Sequence, residues 1–427
     1  MNMSGAPLVV VTSFLSFMMF VEVPLQVFVA ISILTIYLHE SITPTKRNVY
    51  YPKVSFIVTC YSEGKDVVQT MDSLTGQIYR GIIEVLIIID GAAVNKDTLE
   101  AAKNYAKTFT GSNRRVLRIM PKLLRGGLVS SRNTGLRFST GEIVIAIDGD
   151  SSCDNDMVSN IVQTFYDKNV IATSGTLRVR NVGTNVLSKL QGLEYMLGIH
   201  LTRIALAKVN SINNVSGAFG AFRRDFMVKT HGWRNGTAED LDRTLRMQSF
   251  FRKHKKLRVT HCPKSITHTD VPTTIKDLFK QRMRWDGDLY YMYIRRHRKR
   301  INPKYLVWKT FIITIISGLL MQAIIPMVIS AGLIYSFIMF PLPFFVAILS
   351  VVYVYYLVIL TIFYLIFIIL VSELKKQDIK LCWVLLLMPI YNTIMKFVTS
   401  FAIISEIFLK THKGSNMAPD WVNKKVN

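Results

Sequence analysis

Two aspartates, Asp148 and Asp150, follow a short apolar run and are separated by a single glycine. The run, residues 143–147, has the length and the β-branched composition of a buried strand. In an open α/β sheet, ligands bind beyond the carboxyl ends of the strands, and two carboxylates there can share a hard divalent cation such as Mg²⁺ or Mn²⁺. Asp-Gly-Asp is also good turn chemistry, so the tripeptide by itself leaves both interpretations open.

Strand-like and helix-like segments alternate around these aspartates. The predicted strands are residues 54–59, 82–89, 116–120, 143–147 and 170–177, and the predicted helices are residues 66–76, 97–109, 127–139 and 157–166. Such alternation predicts an α/β domain with a mostly parallel, doubly wound sheet and right-handed crossovers. Its carboxyl edge would carry Glu63 and Asp90 beside the two aspartates, which describes a site for a sugar nucleotide and its metal ion.

The chain is strongly basic, with 52 Lys and Arg against 28 Asp and Glu in 427 residues, a formal net charge of +24. This excess favours phosphorylated substrates, other polyanions or anionic lipid as partners. The most basic run, residues 295–300, precedes an apolar segment, which favours contact with lipid headgroups, and no nucleic-acid-binding fold surrounds it. The four cysteines are scattered without metal-ligand spacing, which predicts reduced thiols.

Four apolar stretches predict membrane spans: residues 8–38, 306–340, 344–371 and 381–409. Glu22 interrupts the first, and a carboxylate there is either functional or near an interface, which the sequence leaves open. The lysine-rich loop 372–380 favours a cytoplasmic position, on the same side as the α/β domain. Three C-terminal crossings would place the tail outside despite its lysines, so the side of the tail stays open.

Several short motifs carry a family resemblance when they are taken in order. They are residues 54–63, Asp90, Asn133-Thr134-Gly135, Asp148-Gly149-Asp150, residues 216–222, Gly232-Trp233, Glu239-Asp240 and residues 281–285. Each motif alone is weak, but the ordered set resembles the family 2 inverting glycosyltransferases of GT-A fold. Within that family it is similar to the membrane-integrated synthases of poly-N-acetylglucosamine, hyaluronan, chitin and cellulose. The resemblance covers residues 53–288.

The resemblance implies a role for each matching position. Nucleotide contacts would come from Glu63, Asp90, Arg125, Asp148, Gln281 and Arg284, and the Mg²⁺ or Mn²⁺ ligands would be Asp148 and Asp150. The general base would be Asp240, with Glu239 beside it, and acceptor contacts would come from Trp285, Gly217 and Phe219.

The chemistry of these residue types fits an inverting transfer. One carboxylate can take the proton of the acceptor hydroxyl, while a metal ion and arginines neutralise the departing diphosphate. A tryptophan offers a flat apolar face for a sugar ring. Taken alone, Glu239-Asp240 also fits a helix N-terminus, and residues 281–285 also fit an interfacial basic helix.

Two features depart from the family pattern. Arg125 stands near the position where relatives usually have a lysine, so its cation is kept but its detailed role is open. Asp286 and Asp288 follow Trp285 where small or basic residues are common, and they would either alter acceptor contacts or pair with nearby arginines.

We therefore expect four parts: an N-terminal transmembrane helix (1–40), a cytoplasmic GT-A domain with interfacial helices (41–300), C-terminal transmembrane helices (301–410) and a tail (411–427). Residues 185–209 fit either an interfacial helix or a helix packed on the GT-A domain.

The expected function is a processive, inverting β-glycosyltransferase of the plasma membrane. It would polymerise sugar from a UDP-sugar, with UDP-N-acetylglucosamine the best donor, and pass an extracellular or capsular polysaccharide through its own spans. Expected partners are the UDP-sugar, the growing polysaccharide, membrane lipid and accessory export or regulatory subunits, without nucleic acid. The alternatives are transfer of one sugar to a lipid carrier and, against the intact Asp240 and Trp285, a transporter or scaffold with a degenerate domain.

Overall fold

The computed structural model describes residues 18–42 and 49–414. The first residues of the predicted N-terminal span, part of the linker after it and most of the predicted tail 411–427 lie outside the described residues. The strands are β1 (Val54–Cys60), β2 (Ile83–Ile89), β3 (Arg115–Pro121), β4 (Ile143–Asp148), β5 (Ser152–Cys153), β6 (Val170–Val179), β7 (Phe219–Arg223) and β8 (Arg258–Thr269). They form one sheet of eight strands in the order β3-β2-β1-β4-β7-β6-β8-β5.

The half of the sheet made by β3, β2, β1 and β4 is wholly parallel. Every residue of β1 and β2 is buried, because helices cover both faces, and this explains their largely apolar sequences. The buried Glu84 of β2 accepts hydrogen bonds from the Ser55 hydroxyl and the Thr140 amide. The register places Thr59 beside Asp148 and Cys60 beside Ile89, so β1, β2 and β4 end at the same edge. The predicted α/β alternation is confirmed here, with strand ends shifted by one or two residues.

The other half of the sheet is mixed. β7 runs antiparallel to both β4 and β6, β8 runs parallel to β6, and β5 runs antiparallel to β8. The sheet is therefore less parallel than the sequence alone predicted. Neither β7 nor β8 was predicted, because glycine interrupts the first and lysine, histidine and serine interrupt the second.

Helices surround this sheet in the α/β domain. They are Asp66–Thr75, Lys96–Thr108, Leu128–Phe138, Met157–Thr164, Val186–Glu194, Tyr195–His200, Leu201–Lys208, Arg224–Lys229, Glu239–Phe250, Ile275–Tyr290 and Tyr291–Arg296. Two of them matter most for the site. We call Glu239–Phe250 the base helix and Ile275–Tyr290 the Trp285 helix.

Four helical segments among the described residues are long and apolar enough to span a membrane, which matches the number expected. The first to fourth apolar helices are Phe20–His39, Trp308–Met339, Leu342–Val371 and Met388–Leu409. Their component segments are Met18–Glu22, Val23–Ile42, Trp308–Ile313, Thr314–Ile324, Ile325–Met339, Leu342–Ile366, Phe367–Val371 and Met388–Leu409. Lys375–Asp378 and Ile379–Leu386 connect the third to the fourth, and Thr411–Gly414 follows the fourth.

Glu22 is buried between these apolar helices. Its carboxylate accepts hydrogen bonds from the Tyr356 hydroxyl at 3.0 Å and lies 3.6 Å from the Lys396 ammonium group. The sequence left open whether this acid sits near an interface. The structure gives it a charged partner, and the cluster joins the first, third and fourth apolar helices.

The region 185–209 packs on protein through its apolar side. Leu193, Leu201 and Ile204 are buried in one cluster with Ile33 of the first apolar helix and Val384 of the connection before the fourth. This region therefore joins the α/β domain to the apolar helices. Its lysine-bearing end reaches the first apolar helix as well, where Lys208 contacts the Thr35 hydroxyl.

The basic run 295–300 is partly used inside the protein. Arg295 pairs with Glu406 at 3.4 Å, while Arg296 and His297 contact Asp242 at 3.3 and 2.8 Å. Since Glu406 belongs to the fourth apolar helix and Asp242 to the base helix, the run links these two helices. Arg298 and Lys299 are the members of the run that are exposed, and the predicted contact with lipid headgroups would use them.

Candidate active site

The carboxyl edge of the parallel strands brings three carboxylates together. Asp148 ends β4 beside Thr59 of β1, and Glu63 lies in the loop that follows β1. A Cβ added to Gly149 would lie 3.2 Å from the Glu63 Cδ and 3.1 Å from the Thr59 carbonyl oxygen. A glycine at this position therefore lets Glu63 pack against the turn between Asp148 and Asp150.

The charges of these carboxylates act on one another. Burial, together with Asp150 and Asp148, raises the pKa of Glu63 to about 7. Asp150 is exposed at the edge of the sheet. Partial desolvation by the surrounding protein, together with the nearby charge of Asp148, raises its pKa. The Oε2 atom of Glu63 is buried without a hydrogen-bond partner in the part of the chain that the structure describes. A cation would relieve this repulsion, so the donor set fits Mg²⁺ or Mn²⁺.

The number of protein ligands at this edge is small. Within residues 18–42 and 49–414, no group of three or more His, Cys, Asp or Glu side chains is arranged to hold a metal ion. The assignment of Asp148 and Asp150 as the two metal ligands stays a prediction. Two carboxylates suit Mg²⁺, which usually takes one or two carboxylates and completes its shell with substrate phosphates and water.

Asp90 organises the loop beside this edge. One of its carboxylate oxygens accepts hydrogen bonds from the Lys122 ammonium group at 2.7 Å and the Gly126 amide at 2.9 Å. The other accepts one from the Gly127 amide at 2.8 Å. Asp90 therefore fixes the loop that leads into the helix Leu128–Phe138, and its predicted uridine contact would use the remaining lone pairs.

Arg125 lies in the same loop and covers an aromatic ring. Its guanidinium sits 4.0 Å from the ring centroid of Tyr61, a residue of the loop after β1. The loop thus places two cations near the nucleotide edge, with Lys122 bound to Asp90 and Arg125 stacked on Tyr61. Lys122 was missed by sequence reasoning, although it stands only three residues before Arg125.

The Glu239-Asp240 pair begins the base helix. Ala238, just before it, has the left-handed conformation with φ of 45°, a strained geometry typical of functional sites. The Asp240 Oδ2 atom accepts hydrogen bonds from the Asn214 side chain at 2.9 Å and the Gly217 amide at 3.1 Å. Asp240 is half-buried and held in place, which suits its predicted role as general base. It also lies in the first turn of the helix, where acidic residues are favoured.

Arg132 connects the base helix to the nucleotide edge. This arginine is 1% exposed, and its guanidinium donates to Glu239, to the Asp148 carboxylate at 3.3 Å and to the Gly217 carbonyl at 2.8 Å. Burial lowers its pKa, but Glu239 and Asp148 more than offset this, so the pKa is raised and Arg132 stays charged. A Cβ on Gly217 would lie 2.9 Å from a Glu239 oxygen, so the glycine leaves room for this pair.

Arg132 is a residue that sequence reasoning missed. It immediately precedes Asn133, the first residue of a quoted motif, and an arginine within a helix that covers the sheet was an available signal. Asn133 itself holds the Gly232-Trp233 turn, since its side chain donates to the Trp233 carbonyl at 2.9 Å and accepts from the Trp233 amide at 3.0 Å. The helix Leu128–Phe138 therefore joins three motifs that are distant in the sequence.

The Trp285 helix lies next to the start of the base helix. The Thr237 hydroxyl, two residues before Glu239, donates to Asp288 of the Trp285 helix. Arg284 is exposed, and the Gln281 Oε1 atom is buried without a hydrogen-bond partner among the described residues. The structure thus brings the residues expected at the diphosphate onto an element that contacts the base motif.

Trp285 is half-buried and has a charged neighbour. The guanidinium of Arg282 lies 4.8 Å from its ring centroid, and this guanidinium also pairs with Glu194 at 2.6 Å. The two interactions fix the orientation of the indole ring. A part of the ring remains available for stacking on a sugar.

Phe219 does not take the place expected for it. Its side chain is 0% exposed and belongs to the core between the sheet and the helices. The ring packs the sheet and does not line the site, so the sequence-based assignment to the acceptor is corrected. Gly217, the other residue assigned to the acceptor, donates its amide to Asp240 and accepts a hydrogen bond from Arg132 at its carbonyl. Because it has no side chain, it leaves room for Glu239.

Comparison with protein families decides what kind of enzyme this site belongs to. Residues 143–404 match the family described as Glycosyl transferase family group 2, and residues 55–229 match the family described as Glycosyl transferase family 2. The chain belongs to the family 2 glycosyltransferases. The resemblance seen in the sequence motifs is thereby confirmed.

Curated relatives of this glycosyltransferase include polysaccharide synthases. The poly-beta-1,6-N-acetyl-D-glucosamine synthase of Staphylococcus epidermidis is 26% identical over 234 residues, which are 54% of this chain and 53% of that protein. The hyaluronan synthase of Streptococcus pyogenes is 24% identical over 277 residues, 63% of this chain and 64% of that protein. The chain spans about half the length of the first of these relatives.

A solved structure supports the fold of this glycosyltransferase. Mannosyltransferase PcManGT from Pyrobaculum calidifontis, in complex with GDP-Man and Mn²⁺, superposes with a TM-score of 0.56 at 19% identity. The match covers 90% of this chain and 99% of that chain. The expected α/β fold of GT-A type, combined with apolar helices, is confirmed.

Proposed function

We propose that this glycosyltransferase is a processive, inverting β-transferase that polymerises sugar from a UDP-sugar. Two contacts support the proposal by bringing its parts together. Arg132 joins the nucleotide edge at Asp148 to the base helix at Glu239, and the Thr237–Asp288 hydrogen bond joins the base helix to the Trp285 helix. Donor, base and acceptor platform would therefore form one continuous site beside the apolar helices.

In the proposed reaction, Asp240 takes the proton of the acceptor hydroxyl while that oxygen attacks the anomeric carbon of the donor. Attack from the face opposite the diphosphate inverts the configuration, so an α-linked donor gives a β-linked product. Asn214 and Gly217 donate to the Asp240 Oδ2 atom and hold the carboxylate in place. Arg132 pairs with the adjacent Glu239, whereas Asp240 is held by these two neutral donors and would be the carboxylate that takes the proton.

The departing diphosphate carries negative charge that must be neutralised. Asp148 and Asp150 would hold a divalent metal ion, which when bound supplies positive charge to the phosphate oxygens. Arg284, exposed on the Trp285 helix, would add a planar fork of donors. The Mn²⁺ and GDP-Man in the structurally similar mannosyltransferase support a metal-dependent nucleotide donor, and Mg²⁺ would serve the same two aspartates.

The choice of UDP-N-acetylglucosamine as donor rests on the relatives. The matched synthases are named for poly-N-acetylglucosamine and for hyaluronan. We propose that the product is an extracellular or capsular polysaccharide that passes through the apolar helices of the plasma membrane. The α/β domain and the lysine-rich connection Lys375–Asp378 would then face the cytoplasm, and accessory export or regulatory subunits would receive the chain.

Transfer of one sugar to a lipid carrier is the second candidate function. The apolar helices favour it equally, but it would not require an aromatic platform beside the base motif. Incubation of the purified protein with radiolabelled UDP-N-acetylglucosamine, other UDP-sugars or GDP-mannose, each with Mn²⁺ or Mg²⁺, separates the candidates by product size. A polymer supports the proposal, whereas a single-sugar lipid supports the second function. Absence of any product with every donor refutes both.

A further inference from the structure

Two aspartates follow the proposed acceptor platform, Trp285, at positions where the family pattern usually has small or basic residues. Asp286 and Asp288 stand one and three residues after Trp285. The sequence allowed them to pair with arginines or to contact the acceptor. Within the described residues each accepts a hydrogen bond from a threonine hydroxyl, and the two threonines belong to different parts of the protein. Each carboxylate also interacts with the charge of an arginine, Arg282 for Asp286 and Arg284 for Asp288.

Asp286 binds the Trp285 helix to the membrane part. Its Oδ2 atom accepts a hydrogen bond of 2.7 Å from the Thr399 hydroxyl, in the middle of the fourth apolar helix. The two helices pack along one another beyond this contact. Burial raises the pKa of Asp286 to about 6.

A second connection between the same two helices lies on the other side of Trp285. Arg282 stacks on the indole ring and pairs with Glu194, and the Tyr391 hydroxyl of the fourth apolar helix donates to the same carboxylate at 2.8 Å. Arg282 and Asp286 are four residues apart, so they lie on one face of the helix. The two connections therefore hold this face of the Trp285 helix against the fourth apolar helix. The indole ring itself packs beside Tyr195.

Asp288 binds the Trp285 helix to the base motif. It is buried, and the Thr237 hydroxyl donates to it at the loop that leads through the strained Ala238 into Glu239 and Asp240. A shift of the Trp285 helix would therefore move either the loop before the base or the contact with the fourth apolar helix.

We propose that Asp286 and Asp288 are positioning residues that fix Trp285 between the base motif and the fourth apolar helix, and so set how long a growing chain is retained. This inference rests on the proposed polymerase function. We assign neither carboxylate a part in donor binding or in proton transfer. Each acts through the threonine that it binds, so removing the threonine hydroxyl has the same consequence as removing the carboxylate.

The membrane-side contact is tested with Thr399→Val and Asp286→Leu, each in the full-length protein. Both are expected to shorten the polymer and to raise the KM for a soluble oligosaccharide acceptor by about two- to tenfold, which is what loss of one hydrogen bond is worth in an equilibrium constant. UDP affinity should stay unchanged, since neither residue lies at the nucleotide edge. Asp286→Asn keeps an oxygen that can accept the Thr399 hydrogen bond, so its product should keep the wild-type length.

A matched control is available on the same apolar helix. The Thr393 hydroxyl donates only to the Pro389 carbonyl of its own helix, at 2.8 Å, within the described residues. Thr393→Val therefore removes the same atoms without touching the Trp285 helix and should leave product length unchanged. The double variant Asp286→Leu/Thr399→Val should be no worse than the stronger single variant, because the two residues form one interaction.

The base-side contact is tested in the same assay with Thr237→Val and Asp288→Asn. Thr237→Val should shorten the product. Asp288→Asn keeps an oxygen that can accept the Thr237 hydrogen bond, so its product should keep the wild-type length. UDP binding shows whether each variant is folded. If Asp286→Leu no longer binds UDP, Thr399→Val and Thr237→Val decide whether the inference holds. Wild-type product length in Thr399→Val and Thr237→Val overturns this inference alone. A wild-type protein that makes no polymer overturns the proposed function and this inference together.

Discussion

Arg132 and Glu239 form a buried ion pair that joins the nucleotide edge of the sheet to the helix carrying the proposed base. The two residues are 107 positions apart, and the same guanidinium also reaches Asp148 at 3.3 Å. A buried charge that loses its partner is costly, because nothing replaces the solvation that it lost on folding. The geometry of donor and base sites thus depends on one arginine.

Arg132→Met is expected to lower the free energy of unfolding by about 3–5 kcal/mol, because it leaves the Glu239 carboxylate buried and unpaired. Thermal unfolding in detergent measures this. The double variant Arg132→Met/Glu239→Gln removes the orphaned charge and should recover part of the loss. If the single and double variants unfold alike, the pair has no role in stability.

Asp240→Asn should reduce sugar transfer by about 10²–10⁴-fold, the usual contribution of a general base. The amide cannot take the acceptor proton, but it still fits beside Asn214 and Gly217, so UDP binding should persist. Initial rates with labelled donor and UDP binding by calorimetry check both parts. Asp225→Asn, at an exposed carboxylate that forms a surface ion pair with Lys229, is the control. Near-normal rates in Asp240→Asn would assign the base elsewhere.

Asp150→Ala should abolish metal-dependent nucleotide binding, because Asp148 and Asp150 are expected to share the cation. UDP affinity measured with and without Mn²⁺ should differ in the wild type and be equal in the variant. Excess EDTA should inhibit the wild type in the same way. Asp225→Ala, at an exposed carboxylate just after the end of β7 that lies beside the start of β4, should respond to metal like the wild type. Full activity in excess chelator would refute the metal site.

Trp285→Ala should strongly reduce polymer formation and shorten the residual product, while UDP affinity stays nearly unchanged. An aromatic face holds a sugar ring through apolar contact, whereas hydrogen bonds to hydroxyls are easily exchanged for water. Product sizing and UDP binding measure the two effects, and Trp308→Ala, at an exposed residue of the second apolar helix, is the control. Loss of UDP binding would make Trp285 structural. Full-length product at full rate would favour the single-transfer function.

Stability should fall in mild acid because of a buried histidine. Burial, with Arg178 and Arg203 nearby, lowers the pKa of His200 from 6.5 to about 3. Between those values the unfolded chain binds one more proton than the folded protein, so the free energy of unfolding falls as pH drops below 6.5 toward 3. His261 beside it titrates in the same direction.

The variant His200→Gln removes one of these protons and should lose less stability between about pH 7.5 and pH 5 than the wild type. The measurement is the midpoint of thermal unfolding in detergent at both pH values. His254→Gln, at an exposed histidine, should match the wild type. Equal acid sensitivity in all three proteins would show that His200 is not the group responsible.

The sequence by itself determined the parallel half of the sheet and the edge where the carboxylates meet. Apolar runs such as residues 85–89 are typical of strands buried on both faces, and acids that follow such strands share an edge because parallel strands end together. The order of the short motifs indicated the family, and the long apolar stretches indicated four spans. All of these signals are local in the chain.

Only the tertiary structure decided which side chains meet. Arg132 and Glu239, or Thr237 and Asp288, are separated by many residues, and no local pattern pairs them. Phe219 was assigned to the acceptor through the family resemblance of its motif, but strand side chains alternate between faces, and both faces of this sheet are covered. The sequence of a strand shows that its side chains alternate between the two faces of the sheet, but it does not show which face lines the site. That choice follows from the packing of helices on the sheet.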